Sequence, residues 1–229
     1  MTGVGAVGER LIVNFHGIGE PTRGVPDDEV PYWCPIDEWP RFADALAEVP
    51  SDGAVRLEIT FDDGNLSDVT HALPALVDRG LQASFYVCAG RLGKSGYVGP
   101  DEVRELGVAG MGIGSHGWDH VDLRRTDDSA LLRETVGSRE RLAETVGAEV
   151  DQFAIPFGSY DRRVLRHLRG YREVFTSDGG RAPSSSWLTP RASYVRDWQP
   201  AEISRMVRER VSLGDRVGRR LKTLVKSMR

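Results

Sequence analysis

Short apolar runs alternate along the chain with segments whose apolar residues recur every three or four positions, a pattern that predicts repeated β/α units around a parallel sheet. Strands are expected at 10–15, 56–61, 83–87, 111–115, 153–155 and 174–176, and helices at 37–48, about 66–79, 100–106, 127–145 and near 161–168. In the second helix, Leu66, Val69, Leu73, Leu76 and Val77 would share one face, with Gly80 as its stop. Asp127 or Asp128 is placed to cap the long fourth helix, and 182–186 reads as a loop. The strands are short and too few for a regular eightfold barrel. The expected fold is therefore α/β, a distorted and incomplete barrel, with an open doubly wound sheet as the alternative. In either, chemistry collects at the carboxyl ends of the strands.

The 229 residues fit one domain spanning 1–229, and a net charge of -4 gives no reason to expect a nucleic-acid partner. Two cysteines without a CxxC spacing offer no zinc or redox motif, and Cys88 reads as a core thiol. The first residues lack the basic and apolar regions of a secretory signal, and no apolar stretch has transmembrane length, so a cytoplasmic location is expected. The segment at about 199–229 changes character. From Arg216 onward it carries Arg and Lys without an acid, while Val217, Leu221, Leu224, Val225 and Met228 form one stripe. This reads as a basic amphipathic helix, either packed on the barrel or in peripheral contact with an anionic membrane.

Candidate chemistry sits just past the strands. Asp62 and Asp63 end the second strand, His16 follows the first, and His116 follows the fourth. His116 and His120 are four residues apart, which on a helical turn would put both imidazoles on one side. The HExxH metalloprotease pattern is excluded, because Gly117 holds the position of its glutamate. Two histidines and one aspartate would hold a divalent ion with an open place for water, and the other aspartate could then act as the base.

The string Thr60-Phe61-Asp62-Asp63-Gly64, with His116-x-x-x-His120 about fifty residues later, resembles the polysaccharide deacetylases of carbohydrate esterase family 4, which carry the NodB homology domain. A third stretch, Phe153-Ala154-Ile155-Pro156-Phe157-Gly158-Ser159-Tyr160, is similar to the family's groove segment. The resemblance implies a distorted (β/α)7 barrel that removes acetyl groups from sugars. It implies Asp62 as catalytic base, Asp63, His116 and His120 as metal ligands, and Pro156 and Phe157 as groove residues. Zinc is the first expectation for the ion, with nickel, cobalt, iron or manganese as alternatives.

Three positions depart from the family pattern. Gly117 replaces a Ser or Thr. Ala154 stands where many members carry an arginine beside the base, a place Arg191 could fill from another strand. The late Leu-x-His that supplies the acid is absent, and His16 is the candidate in its stead, similar to the early Tyr-His of circularly permuted poly-N-acetylglucosamine deacetylases. Gly17 beside it would let a substrate approach. Trp33 and Trp118 are the aromatic residues expected nearest a bound sugar, and 17–37 is long enough for a lid. The expected partner is an acetylated sugar or glycan precursor. The competing readings are hydrolysis of another amide or imide, and a barrel that binds glycan without turning it over.

Overall fold

The structure, a computed structural model, describes residues 8–21, 25–27, 29–51, 53–209 and 226. Strands β1 (Glu9–Phe15), β2 (Val55–Asp63), β3 (Ser84–Val87), β4 (Gly112–Ser115), β5 (Gln152–Ala154), β6 (Glu173–Thr176) and β8 (Leu188–Pro190) run parallel in that spatial order. One residue after β8, strand β9 (Ala192–Ser193) pairs with β1. The chain thus steps from one end of the parallel run to the other, and the sheet is a nearly closed, distorted barrel. Arg191 is the residue at the seam.

The segment read as a loop at 182–186 contains part of β7 (Arg181–Pro183), antiparallel to β1. Its composition carries little strand signal. The pairing comes from the open edge of β1, a long-range partner that local sequence does not disclose.

The helices are α1 (Trp39–Ala47), α2 (Leu73–Asp78), α3 (Pro100–Val108), α4 (Asp128–Leu132), α5 (Ser138–Val146), α6 (Arg162–His167) and α7 (Ala201–Arg208). Two expected helices are interrupted. A π-turn at Asp68–Ala72 precedes α2, and another at Arg133–Gly137 joins α4 to α5. A π-turn inserts a residue and rotates the next helical turn about the axis. Leu73 and Leu76 accordingly stay buried while Leu66 and Val77 are exposed, so the apolar face expected at 66–79 is split. Asp127 caps α4 by accepting from the Ala130 amide at 2.8 Å. The basic helix expected at about 199–229 begins as α7; beyond 209 it lies outside the described residues except for Lys226, which ion-pairs with Asp178.

Alternation along β1 sorts the core. Leu11, Val13 and Phe15 face outward, where Phe15 stacks on Phe61 and meets Trp39 of α1 edge-on. Arg10, Ile12 and Asn14 face the lumen, which is layered. Arg10 pairs with Glu58 and Glu173 at the amino end; Ile12, Tyr86, Ala154 and Phe175 fill the middle; Asn14, Thr60, Asp62 and Arg191 close the carboxyl end. Each large apolar side chain fully buried outside contributes roughly 1.5–3 kcal/mol. That surplus supports the charged layers within.

Candidate active site

Parallel register gathers the candidate residues at one rim. Phe15 pairs with Phe61 and Phe61 with Phe85, so His16, just past β1, lies level with Asp62 near the end of β2. Asp63 pairs with Val87 and Val87 with Ser115, which brings His116 alongside.

Asp62 is held from both sides. Arg191 donates from Nη1 to Oδ1 at 2.8 Å and from Nη2 to Oδ2 at 2.6 Å. Asn14 Nδ2 donates to Oδ2 at 3.0 Å, while its own Oδ1 accepts from Arg191 and from the Thr60 hydroxyl. Burial alone would raise the Asp62 carboxyl; the Arg191 charge and its hydrogen bonds outweigh this and hold it well below the usual carboxylate range. Arg191 is therefore the arginine that pairs with Asp62, while position 154 carries an alanine. The small Ala154 packs with Tyr86 and Phe175, and the Arg191 guanidinium lies over both rings, at 5.3 and 5.7 Å from their centroids. Its complete burial makes it a partner of Asp62 and removes it from the residues a substrate could touch.

Asp63, His116 and His120 present one ligand atom each, all within 4.8 Å of one another. His116 Nδ1 donates to the Ala154 carbonyl at 2.8 Å, so its Nε2 faces the two aspartates, 3.8 Å from an oxygen of Asp62 and of Asp63. His120 Nε2 lies 3.4 Å from Asp63 Oδ1. Burial pushes His120 down to about 3, which leaves its imidazole neutral, as a metal ligand must be. Two imidazoles and a carboxylate converging on one point fit a divalent ion. His116 and His120 do not share a helical turn, as their spacing suggests they would. They flank a loop in which Gly117 has φ +83 and His120 φ +57. Glu134 accepts from the Trp118 and Asp119 amides and pins this loop. A Cβ at Gly117 would lie 2.6 Å from Glu134 Oε2, so a Ser or Thr there would be strained by the positive φ and would displace the Glu134 carboxylate.

The remaining candidates divide. Burial, opposed by Asp63 and Asp62, lowers the His16 imidazole; its Nδ1 is buried without a partner among the described residues, and its ring meets Tyr32 at 5.1 Å. Phe157 is 56% exposed and sets its ring 4.4 Å from that of His120, while Pro156 is buried beneath. Trp33 is 3% exposed and presents no open face, because its ring packs flat over Gly17. Gly17 thus admits an indole, not a substrate. Trp118 packs against Gly90 and Gly137 under the Arg133 guanidinium at 4.7 Å.

Four contributors escape a reading of the sequence. Asn14 is the most accessible of them, as a polar residue at an inward position of an apolar strand. Thr60 shares its network. Arg91, 3.2 Å from Asp63 Oδ1, and Glu29, 3.7 Å from His120 Nδ1, come from turns and loops with no periodic signal.

The sequence profile of the polysaccharide deacetylase family matches residues 51–173, which is the stretch from β2 to β6. A peptidoglycan-N-acetylglucosamine deacetylase of Listeria monocytogenes is 27% identical over 114 residues, 49% of this chain and 24% of that protein. A chitin deacetylase of Pestalotiopsis is 28% identical over 112 residues, 49% of this chain and 37% of that protein. The chain spans less than half the length of the curated relatives it matches. Among solved structures, the Streptococcus pyogenes deacetylase PplD in complex with acetate superimposes with a TM-score of 0.76 at 17% identity, covering 88% of this chain and 99% of that one. IcaB from Ammonifex degensii gives 0.68 at 21%, covering 88% and 98%. These two share the fold, and the profile match over more than half the sequence carries the assignment: this chain belongs to the polysaccharide deacetylase family.

Proposed function

We propose that the chain is a divalent-metal-dependent hydrolase that removes an acetyl group, N-acetyl in the first instance, from an acetylated sugar or glycan precursor. The observation that carries this reading is the convergence of Asp63, His116 and His120 beside an Asp62 kept ionised by Arg191. Those three residues would hold the ion, zinc first, with nickel, cobalt, iron or manganese able to replace it. When bound, the ion supplies Lewis acidity that polarises an acyl carbonyl and stabilises negative charge on its oxygen.

The chain's own groups move the proton. Asp62 accepts it from the attacking water as the new carbon–oxygen bond forms. A carboxyl held so acidic by Arg191 stores a proton poorly, so it gives the proton up again within the turnover. His16, neutral at rest, receives the proton that Asp62 releases and delivers it to the sugar nitrogen as the carbon–nitrogen bond breaks, leaving a free amine and acetic acid, which ionises to acetate. The exposed Phe157 ring, above Pro156, offers the flat apolar face on which a sugar ring stacks. No helix among the described residues is long and apolar enough to cross a membrane. A cytoplasmic precursor, soluble or lipid-linked, is the substrate class this reading favours, with the basic C-terminal segment as the part that would meet an anionic membrane.

The test joins metal analysis to acetate release across a panel of acetylated sugars. Asp62→Asn should keep the ion and lose about 10²-fold or more in turnover. Asp63→Ala should lose the ion, and His16→Ala should lose rate while keeping it. Wild-type protein with neither ion nor acetate release overturns the reading. Loss of the ion in His16→Ala would make His16 a ligand.

A further inference from the structure

The two histidines of the cluster are supported differently. His116 Nδ1 has a fixed backbone partner, the Ala154 carbonyl of β5 at 2.8 Å. His120 Nδ1 faces a side chain instead, with Glu29 Oε1 3.7 Å away, on the segment between β1 and α1 that the sequence marks as a lid. The opposite nitrogen of the same ring, Nε2, points at Asp63 Oδ1. The ring has little freedom otherwise. Its backbone is in the left-handed region at φ +57, and its faces meet His116 at 5.0 Å and Phe157 at 4.4 Å. The Glu29 charge also reaches Arg91, where the surrounding negative groups outweigh burial and favour the charged guanidinium.

We infer that Glu29 is a positioning residue for His120. By accepting from Nδ1–H it fixes the tautomer that leaves Nε2 unprotonated toward Asp63, and it couples the hold on a metal ion to the position of the β1–α1 loop. The inference rests on the metal-dependent reading above. A metal-ligating imidazole commonly donates its other ring N–H to a carboxylate or carbonyl, which orients the ring and raises its basicity. The present separation needs to shorten by roughly 0.5–1 Å to become a full hydrogen bond. That adjustment falls within the reach of one loop side chain. A carboxylate there also adds negative charge next to a site that Arg91 makes more positive.

The experiment measures ion affinity directly. Metal-free wild type, Glu29→Ala, Glu29→Gln, Asp27→Asn and Asp63→Ala are titrated with Zn²⁺ or Co²⁺ against a chromophoric chelator, with the Co²⁺ visible spectrum recorded alongside. Glu29→Ala should weaken binding by about tenfold or more and alter the Co²⁺ band. Glu29→Gln, which keeps an acceptor, should recover part of the loss. Asp27→Asn removes a nearby exposed charge of the same loop and should bind as wild type does. Glu29→Ala binding as tightly as wild type, in a protein whose wild type binds and whose Asp63→Ala does not, overturns this inference alone. An equal loss in Asp27→Asn also overturns it, by assigning the effect to loop charge in general. Wild type that binds no ion overturns the inference together with the reading beneath it.

Discussion

Arg191 grips Asp62 through two parallel hydrogen bonds inside the barrel, with 0% of the arginine side chain and 3% of the aspartate side chain exposed. A buried pair of this kind gives modest net stability while intact and is costly to break, because the surviving charge has no water. The pair also sits where β8 passes into β9, so it joins the closure of the barrel to the ionisation of the proposed base.

Arg191→Ala should lower unfolding free energy by about 3–5 kcal/mol in urea titrations and abolish acetate release. Arg191→Lys keeps the charge but loses the fork, and should lower kcat with little change in bound metal. Asn14→Ala removes three hydrogen bonds, with Asp62, Arg191 and Thr60, and should slow turnover by about tenfold or more. An Arg191→Ala variant as stable as wild type would contradict the role given to the pair.

Asp68 behaves in the opposite sense. It is fully buried at the start of the π-turn before α2, and neither carboxyl oxygen has a hydrogen-bond partner among the described residues. Burial, reinforced by Asp63 and Asp62, raises its carboxyl well above the ordinary value. A raised folded-state value means that its contribution to stability is fully present below the unfolded value of about 3.9 and is lost as pH rises toward the folded one. Asp68→Asn should therefore stabilise the metal-free protein by about 1–3 kcal/mol near pH 8 and by less near pH 5. Unfolding titrations at the two pH values decide; an equal effect at both would count against the assignment.

Gly17 and Trp33 make a steric prediction. A Cβ at position 17 would lie 2.3 Å from the indole ring, so Gly17→Ala should destabilise by about 1–3 kcal/mol. Adding Trp33→Leu should return part of the loss, and thermal melts of the single and double variants read the coupling. Destabilisation unrelieved in the double variant would place the strain elsewhere.

Legibility follows the range of the interactions. The six apolar strand runs are plain because burial on the helix-facing side and the lumen side is a local pattern, whereas β7 depends on the free edge of β1. Asp62, Asp63, His116 and His120 can be read as a set because their types and spacing carry chemistry by themselves. Arg191 is readable only as a replacement for something missing at Ala154. Asn14 requires knowing which face of β1 points inward. Glu29 requires knowing where a loop comes to rest. Trp33 misleads because an aromatic ring in a loop near the site offers a sugar-stacking face as readily as the packed contact with Gly17 that forms.

Among the described residues, three that are not glycine adopt positive φ: Asp63, His120 and Phe157. All three belong to the rim where the Asp63, His116 and His120 cluster and the exposed Phe157 ring meet. Such a conformation costs roughly 1–2 kcal/mol per residue relative to the right-handed form. Laboratory evolution run for heat resistance alone would therefore be rewarded for putting glycine or asparagine at these positions, and each reward would erase a proposed ligand or the proposed stacking face. Selection schemes for this scaffold need a functional readout from the first round.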